Sequence, residues 1–563
     1  MIDMEAKIVF KPVAATEKCF LDESIHDKKL YDRGSMLRGE RFAFQLACQC
    51  EGDPLAYGGL RLRVTGDAAP WVKISRVEHV PVRFAAYREC SDTNYLRKAP
   101  GLYPDLLCPV KESSYLVLMD RMQAACLQTY WVELRVPEDA PAGAHALGFA
   151  MLGDDGAVLA ETAFTAEVIP AALPKQKLKY TQWFHCDCLS DYYGVEMFSE
   201  RHWEIIENFI RTAVDNGINM LLTPVLTPPL DTRVGGQRPT CQLVGVKRDN
   251  GVWSFDFTLL DRWVKLCCAC GIEYFEINHL FTQWGAKHAP KVMATVDGEY
   301  RQIFGWDTDA SDEAYSEFLG QMLPALVERM TALGVGDRMS FHISDEPHKE
   351  HLENYGRAKR VVSAALPGQP IMDALSDFDF YRQGVVERPV VGIDHIEPFL
   401  EAGVEGLWGY HCCSQHEKVS NRFISMPAAR TRIIGVQMYK YRLAGFLQWG
   451  YNFYYTYGSA EQINPYLIND GGGNWVPAGD PFGVYPAPDG TAWESLHMMG
   501  FTHALQDLRA MELAESLCGR EAVMAILEEG IDPITFSAYP IEQQYILETR
   551  EKINRLIAAH LPA

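Results

Sequence analysis

Met339-Ser-Phe-His-Ile-Ser-Asp-Glu-Pro347 is the stretch whose reading decides the fold. It opens as a short apolar strand and ends in adjacent carboxylates, Asp345 and Glu346, before Pro347 stops it. A polar helix start follows at His348-Lys-Glu-His351. Two neighbouring acids repel each other, and surroundings that hold them together push their proton affinities apart, as general acid chemistry requires. A solvated loop with an Asp near a helix start has the same composition, so the surrounding chain must decide between them.

Outward from this strand the chain repeats one rhythm. Before it, strands are predicted at Leu178–Phe184, Ile218–Leu222 and Ile272–Ile277. After it, they are predicted at Pro370–Leu375, Val390–Ile393, Gly406–Tyr410 and Gly445–Phe453. Helical stripes lie between them: Trp203, Ile206, Phe209, Ile210, Ala213 and Val214 share one face, and Asn216-Gly217 ends it. Long excursions run from the second strand to about Gly251 and from the third to Asp309. Eight strands and their helices over about 280 residues fit a (β/α)8 TIM-type barrel, whose usual length is about 250 residues. The stretch at Met339 is then the fourth strand, and its acids fall at the carboxyl end, where barrel enzymes build their sites.

Residues 1–172 read as β-structure throughout. Phe42-Ala-Phe-Gln-Leu-Ala-Cys-Gln-Cys50 alternates strictly, Tyr130–Val136 does so less strictly, and turns such as Glu51-Gly-Asp-Pro54 and Pro141-Ala-Gly143 separate such runs. An N-terminal β-sandwich is expected, ended by Ile169-Pro-Ala-Ala-Leu-Pro174. The chain is therefore expected to be multidomain, α and β: a sandwich over 1–172, a catalytic barrel over 178–492 and a C-terminal helical extension over 493–563 packed on the barrel.

The formal charge of -22 leaves no basic stripe to neutralise phosphates, which argues against nucleic acid or an anionic membrane as partner. No apolar run approaches the roughly 18 residues of a membrane span. The start, MIDMEAKIVFKPVAATEK, does not read as an export leader, and fifteen cysteines, several in close pairs, read as reduced thiols. Cytoplasmic placement is the expectation. Cys186, Cys188 and His185 lack a fourth partner for zinc, so no metal or other cofactor is expected.

The string His342-Ile-Ser-Asp-Glu-Pro347 on a fourth strand resembles glycoside hydrolase family 123. Other stretches are similar to that family as well: Arg38-Gly-Glu-Arg-Phe-Ala-Phe-Gln45, Leu407-Trp-Gly-Tyr-His-Cys-Cys413 with Asn421-Arg422, and Gly445-Phe-Leu-Gln-Trp-Gly-Tyr-Asn452. So is Asp480-Pro-Phe-Gly-Val-Tyr-Pro486 with Asp489-Gly490, whereas Ser495-Leu-His497 departs from it, with His where the family usually has Arg. The resemblance implies a sandwich, a barrel and a retaining β-N-acetylgalactosaminidase that uses the substrate's own acetamido group. Glu346 would be the general acid and base, and Asp345 would steady the acetamido nucleophile. The partner would be an oligosaccharide or glycoconjugate ending in a β-linked N-acetylhexosamine, with N-acetylglucosaminides as the alternative substrate. A carbohydrate-binding protein without turnover and a metal hydrolase using His185, Asp187 and His279 are further alternatives.

Pyranose recognition needs flat apolar surfaces and oriented polar groups. Trp408, Tyr410 and Trp449 are expected at the ends of strands seven and eight, Tyr410 on the acetamido oxygen, Trp449 as a pocket wall and Asn452 on a hydroxyl. His185 and Asp187 at the first strand end, and Asn278, His279 and Trp284 at the third, either bind sugar or fix loops. Arg422 contacts substrate or pairs with a loop acid, Asp373 and Asp394 are weaker candidates, and His342 orients a neighbour.

Overall fold

A computed structural model describes residues 7–51, 60–110, 112–113, 116–118 and 126–561. The predicted turn at Glu51–Pro54 therefore falls largely outside the described residues. The chain divides into two units. One holds residues 1–176, 420–440 and 493–563, and the other holds 177–419 and 441–492.

The second unit contains the eight predicted parallel strands: Lys179–Gln182, Met220–Thr223, Tyr274–Ile277, Met339–Phe341, Met372–Leu375, Arg388–Gly392, Trp408–Tyr410 and Gly445–Gln448. In the sheet they stand in the order four, three, two, one, eight, seven, six, five. The edges meet through a parallel bridge between Phe341 and Ile371 and a 2.9 Å bond from the Phe341 N–H to the Pro370 carbonyl. The result is a nearly closed eight-stranded parallel barrel. Every second strand residue faces inward, so Trp183, Met220, Leu222, Met372, Ala374, Val390, Tyr410 and Leu447 share one apolar core.

Helices between the strands follow the predicted signals. Ser199 caps Glu200–Asp215 by accepting from the His202 N–H, and Gly271, at φ 107°, ends Thr258–Cys270 where a side chain would be strained. The long excursions are not plain loops. Gly245–Asp249 and Val252–Asp256 from one join Val292–Val296 and Glu299–Phe304 from the other in a four-stranded sheet.

The first unit contains a five-stranded and a six-stranded sheet. Phe44 from one stacks on Phe164 from the other at 4.0 Å between centroids, within one shared apolar core. Helices Leu496–Cys518 and Gln543–His560 belong to this unit and not to the barrel's, in contrast to the expected extension on the barrel. The reason is polar as well as apolar. Arg550 donates to Glu40 at 2.6 Å and to Asp507 at 2.9 Å, and Arg432 also holds Asp507, all of them buried. His497 is buried here too, its Nδ1 2.7 Å from Asp105, which gives the family departure a partner of its own.

Candidate active site

The fourth strand ends at Phe341, and the chain from His342 to Glu346 turns across the carboxyl mouth of the barrel. Glu346 sits at φ 41°, a left-handed conformation costly for a side-chain-bearing residue. It is held there by a 3.1 Å bond from its N–H to the Ala374 carbonyl on strand five. Asp345 is anchored from the third strand's loop, where the Trp284 N–H donates to its carbonyl at 3.0 Å. Both acids are half-buried.

The Tyr410 hydroxyl donates to Glu346 Oε1 at 2.7 Å, and Cys412 Sγ lies 4.0 Å from the same oxygen. Burial raises the proton affinity of Glu346, and the Tyr410 bond opposes it. Burial raises that of Asp345 well above the ordinary carboxyl range, with Glu346 and a third acid, Asp231, adding to the effect. Asp231 itself is pushed up to about 6 by burial, against the nearby Arg238 cation and with the help of Glu346. The free site therefore concentrates negative charge and holds on to protons. Withdrawal from water thus acts against the charged form of Asp345 in the free site.

Beneath the pair lies a buried polar layer. Glu276 on strand three accepts from Thr181 at 2.6 Å, Trp183 at 2.7 Å and His342 at 2.7 Å. Strands one and three are not neighbours, so the Thr181 bond crosses the barrel interior. His342 turns its other nitrogen to Asp373 at 3.1 Å, and Asp373 also accepts from Tyr355 and from the Ile343 N–H. Burial works against a charged imidazole, yet the carboxylates of Asp373 and Glu276 outweigh it and hold His342 up to about 10. The fold thus favours a charged imidazole at His342, beneath the acids. His279 stacks on it at 4.4 Å, and burial and that charge keep it neutral.

Several predicted contacts are occupied by the protein itself. Asn452 accepts from the His185 N–H at 2.9 Å and donates to the His185 carbonyl at 3.0 Å, clamping strands one and eight together. Asn278 accepts from the Leu226 N–H and donates to the His279 carbonyl, fixing its own loop. Asp187 is forked by Arg238 at 2.8 and 2.9 Å, and Arg238 also reaches His185 Nδ1 at 3.2 Å. Burial and that guanidinium hold His185 down to about 3. These residues shape the wall, and the proposed metal trio of His185, Asp187 and His279 is divided between two networks. His279, His342 and Asp373 lie close enough to share an ion, but both His342 nitrogens already face carboxylates.

Trp408 opens strand seven, two residues below Tyr410, and caps the core over Gly445, where a Cβ would overlap its indole. It is a floor residue and does not reach the mouth. Trp449 stands at the mouth as expected, its indole N–H on Asp480 at 2.8 Å. Trp475, 5.6 Å away, extends the wall, and Tyr457 follows at 5.4 Å from Trp475. Trp284 is 45% exposed beside Asp345, and Asp394, on Gln415 at 2.8 Å, adds to the charge around Glu346. Arg422 belongs to the other unit, where it is fully buried.

Arg238, Asp231, Trp475 and Tyr457 escape a sequence reading because they lie in irregular connections, and Asp480, quoted there only within a motif, meets Trp449 in the fold. Glu276 left a signal: a lone acid inside the apolar run Tyr274–Ile277.

Comparisons with known proteins bear on the fold and the family. A family 123 glycoside hydrolase from Clostridium perfringens, studied for glycolipid glycan hydrolysis, superimposes with a TM-score of 0.74 at 13% identity, covering 98% of each chain. A Parabacteroides merdae β-glucuronidase reaches a TM-score of 0.30 at 8% identity, with 89% of this chain and 52% of that one covered. No curated protein matches by sequence. The model of the glycoside hydrolase 123 catalytic domain matches residues 183–514. That span is more than half of the sequence and takes in Asp231, Asp345, Glu346, Tyr410 and Trp449, and on it the chain belongs to glycoside hydrolase family 123.

Proposed function

We propose that the protein is a retaining exo-β-N-acetylgalactosaminidase that uses the substrate's 2-acetamido group as nucleophile. The observation that carries the reading is the Asp345–Glu346 pair at the barrel mouth, with Tyr410 donating to Glu346. Glu346 protonates the glycosidic oxygen as the acetamido oxygen attacks the anomeric carbon, giving an oxazolinium, and then takes a proton from the water that opens it. An acetamide N–H donates to Asp345 and favours its anion, so binding moves the proton preference towards Glu346. The anion then faces the cation that forms on the substrate. Tyr410, expected on the acetamido oxygen, steers the acid in the free site and exchanges this bond when substrate enters. The sandwich-and-barrel architecture belongs to the same reading, as does action on terminal β-N-acetylhexosamine. Fifteen free thiols support a cytoplasmic site of action, which recovery of the protein outside the cell would overturn.

Chromogenic β-N-acetylgalactosaminide and β-N-acetylglucosaminide, assayed side by side, test the reading. The galacto substrate is expected to turn over faster, and a thiazoline mimic of the oxazolinium is expected to inhibit. Turnover of the gluco substrate alone would replace the sugar named. Hydrolysis of neither would overturn the enzyme reading, and indifference to the thiazoline would remove the substrate-assisted step.

A further inference from the structure

Strand seven and the residues just past it send two side chains to the same carboxylate oxygen. Tyr410 and Cys412 are two residues apart, a spacing that turns both to one face of an extended chain. The Tyr410 hydroxyl lies 2.7 Å from Glu346 Oε1, and Cys412 Sγ lies 4.0 Å from it. The thiol is placed through its own backbone. The Cys412 N–H donates to Gln415 Oε1 at 2.9 Å, and Gln415 in turn donates to Asp394 Oδ1 at 2.8 Å, which pins this turn to the loop after strand six.

The thiol keeps its proton. A bond to the Cys413 thiol, burial and the charges of Cys413, Glu346 and Asp480 raise its proton affinity well above that of an ordinary cysteine. A protonated thiol meets a carboxylate as a donor, and the charged oxygen is a stronger acceptor than the Cys413 sulfur. Sulfur suits this place in two ways. A hydroxyl bonds over about 2.5–3.0 Å, so a serine oxygen on the same backbone would fall short of Glu346. The S–H group is also a weak donor. A strong donor stabilises the anion and would strip a general acid of its proton, whereas a weak one holds the carboxyl group with little such effect. Tyr410 is the strong donor, and in the proposed reaction it gives up this bond when substrate enters.

We infer that Cys412 is a positioning residue for the general acid: its thiol retains Glu346 Oε1 once Tyr410 has turned to the substrate, which leaves the other oxygen for the glycosidic bond. This rests on the proposed hydrolase reading and adds to it a residue that acts through Glu346. The groups that face Glu346 are Tyr410 and Cys412 from strand seven and its end, Asp394 from the loop after strand six, Asp345 and His348 from its own segment, and Asp231 from the excursion after strand two. Substitution at Cys412 changes one of these contacts and leaves the others in place.

The test is the dependence on leaving group in Cys412→Ala and Cys412→Ser. One substrate is a nitrophenyl β-N-acetylgalactosaminide, whose leaving group needs little protonation, and the other is a disaccharide of N-acetylgalactosamine β-linked to galactose, whose leaving group needs it. In both variants kcat/KM on the disaccharide is expected to fall about three- to tenfold relative to the aryl substrate, the worth of one hydrogen bond. The basic limb of the disaccharide profile is expected to move to higher pH, because a contact that favours the Glu346 anion is gone. A merely structural residue would lower both rates together and leave the limb where it was, and that result in the two variants overturns the proposal. Should the parent enzyme cleave neither compound, the hydrolase reading fails, and the contact is judged by infrared titration. The carboxyl band that is missing from Glu346→Gln is followed against pH. Titration at higher pH in Cys412→Ala than in the parent supports the contact, and identical titration overturns it.

Discussion

Glu346 is constrained at three points: a strained backbone, a main-chain bond to strand five and the Tyr410 hydroxyl on its carboxyl group. A general acid needs such fixation because proton transfer demands a donor within hydrogen-bond reach of the leaving oxygen. Glu346→Gln keeps the shape and removes the proton. Activity on substrates with poor leaving groups is expected to fall by about 10²–10⁴-fold, with a smaller loss on activated aryl substrates. Equal loss on both classes, measured as kcat/KM, would deny it the acid role. At this scale the sequence was informative about residue type and less so about task. Asp345, Glu346, Tyr410 and Trp449 stand at the mouth as read. Asn452 and Asn278 also stand near it, but their side chains are spent on main-chain bonds that no periodicity reveals.

The elements were legible because each barrel strand is a short apolar run closed by turn residues, and each long helix carries a stripe and a stop signal. The four-stranded sheet in the two excursions was not. Its strands are short and its pairing joins segments far apart in the chain, a kind of contact that local patterning does not encode. The polar layer below the acids has a measurable consequence. The His342 proton affinity is raised in the fold, to about 10, above the about 6.5 of an unfolded histidine. Its stabilising contribution is therefore fully present below about pH 6.5 and is lost as pH rises towards about 10. Denaturant unfolding across that window is expected to show declining stability, with a flatter decline in His342→Gln. An identical slope in the variant would contradict a charged imidazole.

For the whole molecule, the sequence placed a β-rich segment before the barrel and a helical one after it. It did not join the two, because the join is made by long-range contacts, apolar and ionic, that local patterning does not encode. Arg550 bridges Glu40 and Asp507, and Arg432 completes the cluster. Removing one member of a buried ionic network strands its partners without compensation, at a cost of about 3–5 kcal/mol. Arg550→Ala is expected to lower stability by that amount in thermal or denaturant unfolding, and a loss below about 1 kcal/mol would show the cluster to be merely superficial.

The same pairs impose an order on the making of the protein. Glu40 and Arg550 are 510 residues apart. At about 5–20 residues per second, the ribosome delivers the second on the order of 25–100 s after the first. During that interval the emerging N-terminal sheets carry a buried-type carboxylate with no counter-ion, and all eight barrel strands are complete before it ends. The barrel can thus finish folding first, and the segment synthesised earliest is among the last to be sealed.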